Sequence, residues 1–266
     1  MTLWANTDQE LAAAPGTVSA YVGPLDGPPA YTRLPDATHY GASTMKVAVL
    51  VALYRGGLDL DAPVTVHNAH PSALPGGAVF GNDPIDDSDQ LTWARIGGTA
   101  SLRWLAERMI VRSGNLATNL CIEAVGLPAV AEVWRDAGAR HSVTDRGIED
   151  LAARDAGLEN LVTAADLAAL FGLVVRRYPE LLPMLEAVEQ RDDLAAGLPP
   201  GTRLAHKSGW VTGVRHGAGV VFPADAPPYS VVVCTSTSLP DDAACRLVAG
   251  VSAAAWAARH HLVTDQ

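Results

Sequence analysis

The chain has 266 residues, of which 48% are hydrophobic and 18% charged, so it is neither a disordered chain nor too short to bury a sizeable core. Its formal net charge of −10 at pH 7 excludes the basic surface typical of nucleic-acid-binding proteins. The three cysteines lie far apart and form no zinc-binding spacing with histidine, so we expect buried, reduced thiols and no metal.

Residues 1–18 lack the basic and apolar regions of a secretory signal, and no run of about 18 apolar residues occurs along the chain. We therefore predict a cytoplasmic location and no membrane partner. A small molecule is the expected substrate, no nucleic acid is expected as a partner, and the oligomeric state stays open.

Two strand patterns come first along the chain, at residues 17–23 and 30–34, with a turn rich in glycine and proline between them. A mostly helical middle follows. Its helical patterns lie at residues 43–56, 101–112, 115–125, 128–137 and 163–177, the last of them opened by a capping pattern of Thr163 and Asp166.

The pattern changes again after residue 202, where RLAHKSGWV, GAGVVF and YSVVVCTST predict three strands, followed by an alanine-rich helix at 241–260. Strands at both ends of the chain predict an α+β fold with one five-stranded antiparallel sheet, covered on one face by the terminal helices. We expect a single domain over residues 1–266, with an α/β lobe (1–40 and 190–266), a helical lobe (41–189) and the active site in the cleft between them.

The strongest candidate for chemistry is the sequence Ser43-Thr44-Met45-Lys46 at the start of an apolar helical pattern. Residues three apart in a helix lie on one face, so Ser43 and Lys46 are expected side by side. A serine hydroxyl needs a base, and burial in an apolar helix disfavours the charged ammonium, which allows the lysine to accept that proton. The alternative for this motif alone is a helix-starting serine and a lysine that reaches solvent.

A second candidate is Ser113-Gly114-Asn115, between two helical patterns. Such a turn can direct a hydroxyl and a carboxamide into one cleft. Ser113 is then a proton relay to the leaving group, and Asn115 binds a substrate amide and the amine of Lys46. Seen alone, the pattern is more typical of a helix–helix turn with common capping residues.

A third candidate is Lys207-Ser208-Gly209-Trp210, within a strand pattern. Lys207 and Ser208 can bind a substrate carboxylate, and Gly209 allows a ligand to approach the backbone closely. The amide of Trp210, together with that of Ser43, can form an oxyanion hole. The alternative is an edge strand with an exposed charge.

The three motifs occur in the order S-x-x-K, S-x-N, K-[ST]-G, which resembles penicillin-binding proteins and class A β-lactamases. The flanking segments ASTMKVAVLVALY, LRWLAERMIVRSGNLATNLCIE and NLVTAADLAALF resemble class A enzymes, and the resemblance spans residues 15 to 260. It implies a β-lactamase-like fold and a serine hydrolase that needs no cofactor. By this resemblance Ser43 is the acylated nucleophile, Lys46 is its base or proton relay, and the remaining motif residues take the roles given above.

The omega loop departs from the class A pattern, in which a glutamate activates the deacylating water and Leu-Asn follows a few residues on. Here the segment is TDRGIEDLAARDAGLEN, so Glu149 is the nearest candidate for the deacylating base, without Leu-Asn at the expected place. The alternative is that this loop carries only ion pairs, among Arg146, Glu149, Asp150, Arg154 and Asp155.

Two other positions depart from the pattern. Gly114 stands where aspartate is usual, which removes a side chain that would brace the turn, and Trp210 stands where a small residue is common, so its ring is expected to narrow the cleft. The aspartate-rich run 83–89 lacks the glycine and glutamate of a calcium loop and is interpreted as a solvated loop. The histidines at 67, 70, 206 and 216 lack metal-ligand spacing.

The sequence therefore predicts a serine hydrolase that forms an acyl-enzyme with an ester or amide carrying an anionic group, with β-lactams among the candidates. One alternative is a true class A β-lactamase with Glu149 as the deacylating base. Another is a homologue that binds the ligand but has lost turnover.

Overall fold

The computed structural model describes residues 4–262. The strands are β1 (Thr17–Pro24), β2 (Tyr31–Arg33), β3 (His39–Tyr40), β4 (Pro63–Thr65), β5 (Thr99–Ser101), β6 (Val143–Thr144), β7 (Asn160–Val162), β8 (Arg203–Val211), β9 (Val214–Phe222) and β10 (Tyr229–Ser236). The helices are α1 (Ala5–Ala13), α2 (Lys46–Arg55), α3 (Gln90–Trp93), α4 (Leu102–Val111), α5 (Asn115–Val125), α6 (Leu127–Ala137), α7 (Leu151–Asp155), α8 (Ala164–Arg177), α9 (Leu182–Glu186) and α10 (Asp241–Ala258).

The chain divides into two compact units. Unit 1 comprises Met1–Thr44, Ala137–Ser142 and Val162–Gln266, and unit 2 comprises Met45–Asp136 and Val143–Leu161. The boundaries of the two lobes given by the sequence patterns stay a prediction.

Unit 1 is built on a five-stranded antiparallel sheet in the order β2-β1-β10-β9-β8. Its strands come from the two ends of the chain, because β1 and β2 precede the helical middle and β8, β9 and β10 follow it. This sheet confirms the predicted α+β class and the predicted number of strands. The turn between β8 and β9 has two residues, Thr212 and Gly213, and the φ of +82° at Gly213 explains why a glycine is found there.

One face of the sheet packs against the terminal helices, as predicted. Alternate residues Val18, Ala20 and Val22 of β1 belong to the same buried cluster as Leu11 of α1 and Val248 of α10. This alternation is the period of a strand, and the α10 side chains in the cluster recur at helical spacing. Helix α8 also packs on β1, β9 and β10, and it begins after Thr163, whose hydroxyl accepts a hydrogen bond from the amide of Asp166.

Unit 2 is mostly helical. Helix α2 packs on α4 and α5, and every residue from Lys46 to Leu53 is buried, as its apolar composition predicts. Strands β6 and β7 pair antiparallel, Val143 with Leu161 and Thr144 with Asn160, so they close the loop between them at its neck.

No single helix within residues 4–262 is long and apolar enough to cross a membrane, and only the bent pair Asn115–Val125 and Leu127–Ala137, with an angle of 89°, reaches that length and hydropathy together.

Candidate active site

Ser43 lies in a short 3-10 helix, Ala42–Met45, directly before α2. The sequence predicted one continuous helix from residue 43, whereas the α-helix begins at Lys46. The amide and hydroxyl of Thr44 both donate to the carbonyl of Gly41, at 3.1 and 2.6 Å, and these bonds tighten the turn. Ala42 has φ +42°, a left-handed conformation that costs a non-glycine residue about 1–3 kcal/mol. The backbone immediately before the serine is therefore strained.

The third motif lies against this turn in unit 1. A Cβ atom placed on Gly209 of β8 would lie 3.2 Å from Cβ of Ala42 and 3.3 Å from the backbone nitrogen of Ser43. Only glycine allows the strand to approach the turn this closely without displacing it. The structure therefore brings Gly209 close to the amide of Ser43.

The amide of Trp210 points off the open edge of the sheet. Strand β8 is the last strand in the sheet order, and Val211 and Val214 flank the two-residue turn as a hydrogen-bonded pair. The next pair, Trp210 with Arg215, is then a non-hydrogen-bonded pair, so the N–H of Trp210 is directed away from β9. Trp210 as a whole residue is 56% exposed.

Lys207 and Ser208 lie on opposite faces of β8. Lys207 shares the face of Gly209 by strand alternation, is buried, and donates to the carbonyl of Ser208 at 3.0 Å. Burial lowers the pKa of Lys207 to about 8, against the opposing effect of the charge of Asp193. Ser208 is buried on the other face, because it pairs with Gly217, where a Cβ atom would meet Leu194.

Two buried histidines of unit 1, His206 and His216, differ in their hydrogen bonding. His216 connects β9 to the segment before Ser43, since its Nε2 lies 2.8 Å from the carbonyl of Tyr40 and its Nδ1 accepts from the amide of Thr235 at 3.1 Å. These bonds fix a neutral imidazole with the proton on Nε2. His206 is buried on the face of Ser208, with no hydrogen-bond partner for either nitrogen among residues 4–262.

In unit 2, Lys46 is fully buried and forms hydrogen bonds with the second motif, Ser113-Gly114-Asn115. Its Nζ donates to the carbonyl of Ser113 at 2.6 Å and to Oδ1 of Asn115 at 2.9 Å, and it lies 3.4 Å from Oγ of Ser113. Ser113 has φ +60°, the left-handed region, which turns the carbonyl out of a helical path. The structure thus joins the lysine of the first motif to both polar residues of the second.

The turn of the second motif is braced by Asp87, contrary to the expectation from Gly114. The carboxylate of Asp87 accepts from the amides of Asn115 and Leu116, at 3.0 and 2.9 Å, and from Nε1 of Trp93 at 2.9 Å. A carboxylate at this position satisfies the first amides of α5 and complements the positive end of its dipole.

Asp89 fills the space that a side chain at position 114 would need. A Cβ atom on Gly114 would lie 2.9 Å from Cβ of Asp89. Asp89 is buried and forms an ion pair with Arg108. The solvated-loop interpretation of residues 83–89 is therefore wrong for Asp87 and Asp89. The hydrophilic composition of this run does not by itself show that two of its carboxylates are buried.

Glu149 lies beside the second motif. Its Oε1 is 3.4 Å from Nδ2 of Asn115, and its Oε2 accepts from the amide of Asp83 at 2.6 Å. Partial burial raises the pKa of Glu149, and the charges of Asp86 and Asp87 add to the increase. Its φ of +69° is left-handed, so the loop is strained where this side chain turns inward.

The loop that carries Glu149 is closed by an asparagine. Oδ1 of Asn160 accepts from the amides of Asp145 and Arg146, at 3.0 and 3.2 Å, next to the β6–β7 pairing. Of the loop ion pairs considered from the sequence, Arg154 and Asp155 lie 3.5 Å apart.

Asp150 has a different role, since it is buried and caps α7.

The residues at 67, 70 and 123 form a cluster that the sequence did not reveal. One ligand atom from each of His67, His70 and Glu123 lies within 4.8 Å of the others, all in unit 2. The three side chains are able to hold a metal ion.

A family model described as "Beta-lactamase enzyme family" matches residues 2–258. A curated β-lactamase of Streptomyces lavendulae is 30% identical over 148 residues, which are 52% of this chain and 48% of that protein. The match thus spans about half the length of that relative.

Solved structures share the fold at low identity. The protein PBP-A is 22% identical, with a TM-score of 0.80 over 96% of this chain and 95% of that one. A β-lactamase from Sphaerobacter thermophilus is 24% identical, with a TM-score of 0.78 over 98% and 99%. A variant of PBP-A, solved as an acyl-enzyme complex with penicillin G, is 22% identical with a TM-score of 0.79 over 96% and 95%. Because the family model covers nearly the whole chain, this chain belongs to the beta-lactamase enzyme family, within the superfamily of serine hydrolases that its three motifs predicted.

Proposed function

We propose that this chain is a serine hydrolase that forms an acyl-enzyme, with Ser43 as the nucleophile and Lys46 as the base. The observation that carries the proposal is the buried amine of Lys46, bonded to Ser113 and Asn115, three residues after Ser43. The name of the S. lavendulae relative and the penicillin G complex of the PBP-A variant support the same chemistry.

Lys46 acts as the base because of how its hydrogen bonds are arranged. A neutral amine has two N–H groups and one lone pair. The carbonyl of Ser113 and Oδ1 of Asn115 can accept its hydrogens, and the full burial of Lys46 disfavours the charged ammonium relative to the neutral amine. The lone pair then takes the proton of Ser43 as its oxygen attacks.

The acyl transfer proceeds in two steps. The Ser43 oxygen bonds to the carbonyl carbon while the amides of Ser43 and Trp210 donate to the developing oxyanion. The bond to the leaving group then breaks. Ser113 gives its proton to that group and takes in return the proton that Lys46 accepted from Ser43, so the amine is neutral again. Water attacks the acyl-enzyme, releases the acid and restores the Ser43 hydroxyl. Lys207 binds an anionic group of the substrate through its positive charge.

Intact-mass measurement tests this proposal. Wild-type protein exposed to a fluorophosphonate or to penicillin G is expected to gain one adduct per chain, and Ser43→Ala is expected to gain none. Ser238→Ala, at an exposed serine of unit 1, is the control for non-specific labelling and keeps the adduct. Absence of an adduct on the wild type with both reagents, or an equal adduct on Ser43→Ala, contradicts the proposal.

A second candidate is a true β-lactamase in which Glu149 activates the deacylating water. It is favoured by the position of Glu149 beside Asn115 and by its raised pKa, which suits a general base. Nitrocefin turnover is expected to collapse in Glu149→Gln while the acyl adduct accumulates. Glu159→Gln, in the same loop, is the matched control and keeps turnover.

Turnover that does not respond to Glu149→Gln excludes this role. A stoichiometric adduct that is never released by the wild type supports instead a homologue that binds without turnover.

A further inference from the structure

A cluster of His67, His70 and Glu123 lies outside the residues proposed for catalysis. The two histidines follow β4 in an irregular segment, and Glu123 lies on α5. Nδ1 of His70 is hydrogen-bonded to Oε1 of Glu123, and Nε2 of His67 lies 3.5 Å from Oε2 of the same carboxylate. The centroids of the two imidazole rings are 5.5 Å apart. Both histidines therefore lie against the same carboxylate, that of Glu123.

These positions are close to those of metal ligands. A tetrahedral Zn²⁺ ion with bonds of about 2.0–2.1 Å to nitrogen and oxygen separates its ligand atoms by about 3.3 Å. The three ligand atoms of the cluster already lie within 4.8 Å of one another. The His67 and Glu123 side chains are partly exposed and so have room to rotate toward the required distances.

The hydrogen bonding of His70 identifies the nitrogen that faces the cluster. The side chain is buried, and its Nδ1 is the atom directed at the carboxylate of Glu123. An ion bound between these two side chains would therefore be held by Nδ1 of His70. A cavity of about 300 Å³ borders His70 and Glu123, two of the three ligands, and is large enough to hold a water molecule beside them.

We propose that His67, His70 and Glu123 form a Zn²⁺ site with water as the fourth ligand. Two imidazoles and one carboxylate suit Zn²⁺, whereas Mg²⁺ and Ca²⁺ prefer oxygen ligands alone. The single negative charge of Glu123 partly neutralises the ion. The sequence concealed the site because its third ligand lies 53 residues beyond His70.

The bound ion stabilises residues 67–83, the segment whose last residue contacts Glu149. Within this segment His70 pairs with Phe80 across an isolated bridge, and Asn82 donates through Nδ2 to the carbonyl of Ile148 at 3.1 Å. The amide of the next residue, Asp83, binds Glu149. An ion that ties the start of the segment to α5 therefore restricts the backbone that holds this carboxylate.

Titration of chelator-treated protein with Zn²⁺, by calorimetry, tests the site. The wild type is expected to bind one ion per chain. His67→Ala and Glu123→Gln are each expected to weaken binding by at least about tenfold. Co²⁺ in place of Zn²⁺ is expected to give the intense visible absorption of a four-coordinate site in the wild type and to lose it in both variants.

Two controls separate this site from other histidines. His141→Ala, at an exposed histidine of unit 1, and the double variant His260→Ala/His261→Ala are both expected to bind Zn²⁺ as the wild type does. Binding that survives both His67→Ala and Glu123→Gln, or that disappears with the terminal histidines, overturns the proposal.

Thermal unfolding gives a second readout that does not depend on catalysis. Zn²⁺ is expected to raise the Tm of the wild type and of His141→Ala, but not of His67→Ala, because an ion that binds only the folded state stabilises it. Equal shifts in all three proteins contradict the site. Acylation of Ser43 in the presence of chelator is measured separately, so failure of one proposal leaves the other testable.

Discussion

The two units contribute to the proposed chemistry in different ways. In unit 1 the contribution is mainly backbone, since the turn of Ser43 lies against Gly209 and the amide of Trp210 points off the sheet edge. In unit 2 it is a network of side chains, since Lys46 is bonded to Ser113 and Asn115. The unit 1 arrangement depends on the space between two backbone segments. The unit 2 network depends on the presence of each hydrogen-bond donor and acceptor.

This difference implies different sensitivities. A change that keeps volume but removes a polar atom should damage the unit 2 network most, because a buried hydrogen-bonding group is left without its partner. A change that adds one methyl group should damage the unit 1 arrangement most, because close packing of backbone leaves no room for it.

The largest effect is expected from Lys46→Met. The substitution nearly preserves the side-chain volume but removes the proposed base, so the rate of acylation of Ser43 should fall by about 10²–10⁴-fold. Stopped-flow measurement with nitrocefin or a p-nitrophenyl ester gives this rate. Arg55→Met, at the other end of the same helix and partly exposed, is the matched control and should acylate like the wild type. An acylation rate of Lys46→Met within threefold of the wild type would remove the lysine from the mechanism.

The next largest effect is expected from Gly209→Ala. The new methyl group would lie 3.2 Å from Ala42 and 3.3 Å from the Ser43 nitrogen, so the turn must shift. The shift needed is a few tenths of an ångström, and a displacement of about 1 Å at reacting groups costs on the order of 10²-fold in rate, so the fall in turnover should stay below about 10²-fold. Turnover of the same ester provides the measurement.

The matched control for that substitution is Gly250→Ala in α10, where the nearest atom to the new methyl group is 3.9 Å away. It should leave turnover unchanged and raise the free energy of unfolding by about 0.5–1 kcal/mol, because alanine is the better helix former. Equal activity of the two alanine variants would show that the close approach of β8 is not needed.

A smaller effect is expected from pH through Lys207. Its pKa is about 8, lowered by burial, so the ammonium is present below this pH and is lost above it. The KM for an ester with a carboxylate should therefore rise as pH increases through 8, by up to about tenfold per unit, as expected for a single ionising group. The KM for a neutral ester should not change.

Lys207→Met is the control for this pH dependence, since it should raise the KM for the anionic ester at pH 7 and abolish the difference between the two esters. The same rise in KM for both esters would assign the dependence to another group.

The smallest effect on the reaction is expected from Gly114→Ala, which tests how tightly Asp89 packs against the turn of the second motif. The methyl group would lie 2.9 Å from Cβ of Asp89, so overpacking should lower the free energy of unfolding by about 1–3 kcal/mol, as measured by urea denaturation. Gly250→Ala again serves as the control. A stability equal to that of the wild type would mean that Asp89 moves freely to accommodate the side chain.

The motifs were predictable because each is local in the chain. The spacing of Ser43 and Lys46 and the order of the three motifs carry their information within a few residues. The strands could be predicted for the same reason, because alternation and turn residues are short-range signals.

The bracing of the second motif could not be predicted in this way. Asp87 and Asp89 belong to a hydrophilic run that resembles a solvated loop. Nothing within that run shows that its carboxylates pack against the start of α5. The position of Glu149 was open for a related reason, since it depends on Asn160 closing the loop at its neck.

The sequence by itself determined the α+β class, the strands of the main sheet and the set of residues able to carry serine chemistry, since periodicity and residue type act over a few positions. The tertiary structure alone decided that Lys46 bonds to Ser113 and Asn115, that Asp87 supports their turn, and that His67 and His70 meet Glu123. Such contacts join residues that are tens of positions apart, and only the packing of the folded chain brings them within hydrogen-bonding distance.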